Sequence, residues 1–225
     1  MTRENYQADL DDLRRDVRAM GDLVLGRLDD GLACLAGDAD DNLAREVIAG
    51  DDEVNERYLA LEDDCIDLIA LQQPVAGDLR FVVASFKILT DLERVADLAV
   101  NLAEYSLAGS DPGVPTEDLT TIGERARDLV KRALDAYVDT DPAACRAIAE
   151  ADDEIDALCA RASETVVRDL IEREADADAW TVESLLDDVS RVLLTVRDLE
   201  RIGDHAVNVA ARTLYMTEND PELIY

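Results

Sequence analysis

The feature that most narrows what this 225-residue chain can fold into is an internal repeat. Residues 91–103 read DLERVADLAVNLA and residues 198–210 read DLERIGDHAVNVA, identical at nine of thirteen positions at an offset of 107. Upstream, GDDEVN (50–55) matches ADDEID (151–156) at an offset of 101. The second copy is therefore about six residues longer between these segments, most simply in its acidic loop, 174–179. Two related units in tandem are expected, divided where Ala108–Pro115 places two glycines and two prolines that cannot continue a helix. The expected units are 1–110 and 111–225.

Each unit reads as three helices. Leu10, Leu13, Val17, Met20, Val24 and Leu28 recur at three- and four-residue spacing, which predicts a helix over about 5–36. Gly37, Asp38 and Asp40 mark a turn and a new cap. A second helix is predicted to run unbroken to about Gln72, with Val47, Val54, Tyr58, Leu61 and Cys65 on one face. Pro74 suits the first turn of a third helix ending near Leu107. The second unit repeats this over about 116–138, 142–173 and 180–217. Thr116 and Asp141 are the expected N-caps, and Pro142 the first helical residue. Aromatics make up only 4% of the chain, and Ala, Leu, Val, Asp, Glu and Arg dominate, so little favours strands. Long helices joined by short loops pack as antiparallel neighbours. The expected fold is all-α: two tandem, pseudo-symmetric three-helix bundles, with the third helix of each at the centre.

Charge excludes some functions. The chain carries 22 basic and 53 acidic residues, a net −31. Such a surface repels nucleic acid, so direct nucleic-acid binding is not expected. The acidity fits a surface that binds cations or, since acids spread along the whole chain, a salt-adapted protein for which screening relieves self-repulsion. Cys34, Cys65, Cys145 and Cys159 form no CxxC pair and sit among apolar neighbours, as buried free thiols do. No stretch approaches the ~18 apolar residues of a membrane span and no signal peptide is visible, so a cytoplasmic protein is expected.

The repeated segments hold the chemistry. Glu93 and Asp97 lie one helical turn apart, as do Glu200 and Asp204, and Asn101 and Asn208 extend each row by a further turn. Asp51 and Asp97 lie equally far on either side of Pro74, as do Asn55 and Glu93. About position 178, Asp152 mirrors Asp204 and Asp156 mirrors Glu200. Two acidic rows should therefore come level on adjacent antiparallel helices in each unit. Like charges so placed need an offset. A bound cation supplies one, and ion pairs to Arg94 and Arg201 supply another. Carboxylates and amides without a Cys/His set suit hard cations: magnesium, calcium, manganese or ferric iron. Asn55 stands where the second copy has Asp156, so the first site is the less charged. His205, whose counterpart is Leu98, reads as an incidental helix residue.

LERIGD with its following asparagine, the upstream D-x-x-x-N/D, and Gln73-Pro-Val-Ala-Gly-Asp-Leu-Arg80 together resemble the PhoU family along the whole chain. The resemblance implies metal, often iron, at the paired motifs, here Asp51, Asn55, Glu93, Asp97, Asn101, Asp152, Asp156, Glu200, Asp204 and Asn208. It implies a homodimeric, non-enzymatic regulator that damps phosphate uptake by contacting the ATPase of a Pst-type ABC transporter. A sensor histidine kinase is a further partner in bacteria, and membrane association comes only through partners. The homodimer draws support from apolar residues around the first helix, Leu23, Leu25, Leu32 and Leu35, which exceed what one bundle buries. Two rival functions are a metal-dependent phosphohydrolase, which lacks a general base outside the ligand rows, and a metal-free helical scaffold. No nucleophile–base pair or phosphate-cradling glycine loop is visible.

Overall fold

The three- and four-residue spacing of the first helix becomes a continuous buried stripe: Leu10, Leu13, Val17, Met20, Val24 and Leu28 are all buried. The structure, a computed structural model, describes residues 3–109, 116–174 and 179–224. Helices span α1 (Arg3–Ala36), α2 (Asp41–Ala49), α3 (Asp51–Gln72), α4 (Gly77–Leu107), α5 (Thr116–Asp139), α6 (Pro142–Glu174) and α7 (Ala179–Glu218). No strand occurs among the described residues. Residues 110–115 of the expected divider, residues 175–178 of the acidic loop, and the side chain of the expected cap Thr116 lie outside the described residues.

The helix ends follow from local chemistry. Gly37 takes φ 76° after α1, a conformation that costs glycine nothing. Asp40 then caps α2, its Oδ1 accepting from the backbone N–H groups of Asn42 and Leu43 at 3.1 Å each. Such a cap contributes about 1 kcal/mol. Asp141 does the same for α6, accepting from Ala143 at 2.9 Å and Ala144 at 3.1 Å, with Pro142 as first helical residue.

Two boundaries differ from the sequence expectation. The second helix is not unbroken: Gly50 ends α2, where its N–H donates to Glu46 and Val47, and α3 starts at the next residue. Glycine is a poor helix-interior residue, and here it separates α2 from α3. Pro74 lies in the turn before α4 and not in its first turn, because Gln73 (φ 51°) and Ala76 (φ 48°) are left-handed and α4 begins only at Gly77.

Helices α4 and α7 form the centre, as expected. The pair pack on each other, with α1, α2 and α3 around α4 and with α5 and α6 around α7. The two units are not separately buried. One apolar cluster runs through both, from Val17 and Leu92 to Leu134, Leu199 and Leu214. Part of this comes from α1 packing on α5. That contact corrects the argument for a dimer from Leu23, Leu25, Leu32 and Leu35. Leu25 is buried and the others pack against the core, Leu32 so close to Gly123 that a Cβ there would overlap it. The second unit meets Leu32 at Gly123 and lies beside Leu35 at Leu119 and Val192, so part of this apolar surface is covered within one chain. All four cysteines are free and buried. Among the described residues, no helix is long and apolar enough to cross a membrane.

Candidate functional site

The fold-back of α3 on α4, and of α6 on α7, brings the acidic rows level in both units. In the second, Asp152 is buried against α7, Glu200 is half-buried, and Asp156 and Asp204 are exposed. Asp152 reaches this depth because α7 carries Gly203 at the crossing: a Cβ there would overlap Asp152 Oδ1. That oxygen is buried and has no hydrogen-bond partner among the described residues. Burial, then the charges of Asp156, Asp204, Asp153 and Glu200, push the Asp152 carboxyl up to about 7. Asp156 and Glu200 are also raised, first by burial and then by their acidic neighbours. Among the described residues, no arginine relieves any of these three.

The first unit is the milder version. Ala96 occupies the position of Gly203, and its Asp51 is only half-buried. Asn55 Nδ2 donates to Asp51 Oδ2 at 2.8 Å, so the residue that lowers the site's charge also satisfies its neighbour. Glu93 is raised by burial and by Asp97 and Asp51, and lowered by Arg94 and His205. Asp97 is raised by burial and Asp51, and lowered by Arg201 and Arg94. Both arginines act at a distance: neither forms an ion pair with Glu93 or Asp97 among the described residues. Arg201 instead lies 3.7 Å from Asp198.

Asn101 and Asn208, placed in the rows by helical spacing, turn toward the central helix pair. Asn101 Nδ2 donates to Asp198 Oδ2 at 3.0 Å, and Asn208 Nδ2 donates to Asp91 Oδ1 at 3.2 Å. Asp91 and Asp198 are equivalent in the repeat, so each unit's aspartate receives the other unit's asparagine. Asp198, fully buried, also accepts from Tyr105 Oη at 2.9 Å and from Arg197 at 3.1 Å. His205, read from sequence as incidental, is buried with Nδ1 2.9 Å from Asp91 Oδ1. Sequence reasoning gave Asp91 and Asp198 no role. Their signal was the identity of both the aspartate and the asparagine ten residues on, in both copies.

Among the described residues, no three Asp, Glu, His or Cys side chains converge as they stand tightly enough to enclose an ion. The chemistry of the second row nevertheless fits a hard cation. Its donors are all carboxylates, one oxygen is buried and unpartnered, and no arginine or lysine among the described residues pairs with them. Asp156 and Asp204 are exposed, and neither forms an ion pair or side-chain hydrogen bond among the described residues.

Residues 17–106 and 119–213 match the PhoU domain family, so both units are covered. The phosphate-specific transport system accessory protein PhoU homolog of Pseudomonas aeruginosa is 31% identical over 216 residues, 95% of this chain and 85% of its own. Homolog 1 from Methanothermobacter thermautotrophicus is 31% identical, spanning 94% of this chain and 93% of its own. The crystal structure of PhoU from P. aeruginosa superposes with TM-score 0.82 at 30% identity, covering 96% of this chain and 100% of that one. The phosphate transport system regulatory protein PhoU from Streptococcus pneumoniae gives TM-score 0.83 at 25% identity, over 96% and 98%.

Proposed function

Since the chain belongs to the PhoU family, we propose that it is a regulator of phosphate homeostasis that lowers phosphate uptake by binding the ATPase of a Pst-type ABC transporter. The observation that carries this reading is that the likeness runs through both repeats and nearly the full length of relatives named as phosphate-specific transport accessory proteins. The protein acts by contact, not by chemistry on a substrate, in the cytoplasm, as a homodimer. Where the organism has a phosphate-responsive sensor kinase, that kinase is a second partner. The −31 charge suits a salt-rich cytoplasm.

Each unit holds a hard cation between its fold-back helices. Asp152, Asp156, Glu200 and Asp204 hold the tighter one, and Asp51, Asn55, Glu93 and Asp97 the weaker. When bound, the cation supplies positive charge to carboxylates that otherwise repel one another. The protein's own part is to hold Asp152 deep against Gly203 and to keep the remaining carboxylates one turn apart on α6 and α7. This ties the outer helix to the central one and fixes the surface offered to a partner.

The test is co-purification of the chain with the cognate transporter ATPase in molar salt, with and without phosphate. Retention that changes with phosphate is expected. An ATPase that never co-purifies, under either condition, refutes the reading.

A further inference from the structure

A groove of about 510 Å³ lies between the first turns of α4 and the last turns of α7. Its apolar wall is Leu79, Val83, Ala84, Tyr215 and Ile224. Three cations share it: Arg80, Lys87 and Arg212. Lys87 is one of only two lysines in the chain. In a protein with 53 acidic residues most arginines find a carboxylate, as Arg18, Arg27, Arg127 and Arg146 do. Among the described residues, none of the three groove cations forms an ion pair or side-chain hydrogen bond. The Nε atoms of Arg80 and Arg212 are moreover buried without a partner; those of Arg27 and Arg191 are too, but both of these arginines pair a carboxylate through Nη2. A buried guanidinium donor left unmade costs free energy, so a fold under no other demand would not place two in one groove.

The repeat shows that the fold does not require them. The equivalent positions in the other unit are Asp187, Leu194 and Tyr105. Tyr105 uses its hydroxyl on buried Asp198, but the equivalent Asp91 is already served by His205 and Asn208, which leaves Arg212 unused. Among the described residues, the equivalent positions at the other end hold one cation, Arg191 in place of Ala84, and it pairs with Asp188 at 3.0 Å; three unpaired cations occur only at the α4 end.

We propose that this groove binds a soluble organic phosphate, its phosphoryl group held by Arg80, Lys87 and Arg212 and its apolar or aromatic body against Leu79, Val83 and Tyr215. Two arginine forks and a lysine suit a phosphoryl group's several acceptor oxygens. The groove is several times larger than a phosphate ion, and its apolar wall would stay wet under one, so the occupant brings apolar surface as well. The groove shares no residue with the acidic rows.

The test is calorimetric titration of the full chain at high salt with phenyl phosphate, adenosine 5′-monophosphate, inorganic phosphate and phenol. Saturable binding of phenyl phosphate or the nucleotide is expected, at least about tenfold tighter than inorganic phosphate or phenol. Arg80→Gln with Arg212→Gln should weaken it by a further factor of about ten or more, whereas Arg125→Gln, on another face, should not change it. Should the double variant fail to fold, Lys87→Glu alters only an exposed side chain and should also weaken binding. The proposal is overturned if neither organic phosphate binds the wild type saturably. It is equally overturned if Lys87→Glu and the arginine variant bind as the wild type does, or if inorganic phosphate binds as tightly as both organic probes.

Discussion

Replacing Asp152 with asparagine should stabilise the metal-free protein at neutral and alkaline pH, although it removes the deepest carboxylate of the second site. The carboxyl of Asp152 lies at about 7 in the folded protein against 3.8 in an unperturbed chain, raised by burial and by four neighbouring acids. Between those values the folded chain holds a proton that the unfolded chain has released. The stability attached to that proton is fully present below 3.8 and is lost as pH rises through about 7. At 1.36 kcal/mol per decade the interval sets a ceiling of about 4 kcal/mol. Outward rotation of exposed Asp156 and Asp204 relieves part of the repulsion, leaving about 2 kcal/mol. Asparagine is neutral throughout, so Asp152→Asn should exceed the wild type by roughly 2–4 kcal/mol at pH 8 and match it near pH 4. Urea denaturation in a chelator at the two pH values measures this. Manganese should then reverse the order at pH 8, because only the wild type keeps the full carboxylate set. The reasoning is refuted if the variant is less stable than the wild type in chelator at pH 8, or if the gain is the same at both pH values.

Gly203→Ala drives a methyl into Asp152 Oδ1, the end of a side chain that can turn outward, so it should weaken cation binding to the second unit while changing stability in chelator by less than about 1 kcal/mol in thermal or urea unfolding. Glu200→Ala with Asp204→Ala should remove more metal from the purified protein than Glu93→Ala with Asp97→Ala; equal metal content in wild type and both variants would show that the rows hold none. Asp198→Ala strands the Asn101 amide and the Tyr105 hydroxyl between α4 and α7 and should cost about 2–3 kcal/mol by the same unfolding measurement. Sedimentation across a salt series should show the dimer strengthening toward molar salt, where the Debye length falls to about 3 Å. A monomer at molar salt that dimerises only as salt is removed would mean that opposite charges drive association.

The helices were legible because their apolar residues recur with helical spacing, and the facing of the acidic rows because each pair lies equidistant from a turn. Distance from a turn does not depend on knowing how the two units meet. What the sequence left hidden depends on exactly that meeting. Helical spacing puts Asn101 in line with Glu93 and Asp97, but a half-buried residue at the edge of a row is claimed by whichever neighbour is closer, here Asp198 of the other unit. Leu25 and Leu32 looked like surplus apolar surface because α5 was not known to lie on α1. Gly203 and Ala96 differ by one methyl, and only the crossing of α6 on α7 shows that this methyl decides how deep an aspartate sits. The break at Gly50 was readable in principle, since a lone glycine inside a helical pattern is a weak point. The three acidic residues that follow it, Asp51, Asp52 and Glu53, suit the first turn of a new helix.

The central claim is that the chain restrains phosphate import. Its most direct test is phosphate uptake by proteoliposomes that contain the cognate Pst-type transporter and hydrolyse ATP on the side to which the chain is added. Uptake should fall as the chain is titrated in, and fall less with the Glu200→Ala, Asp204→Ala variant. Uptake that is unchanged at saturating chain, with the transporter active, would contradict the account.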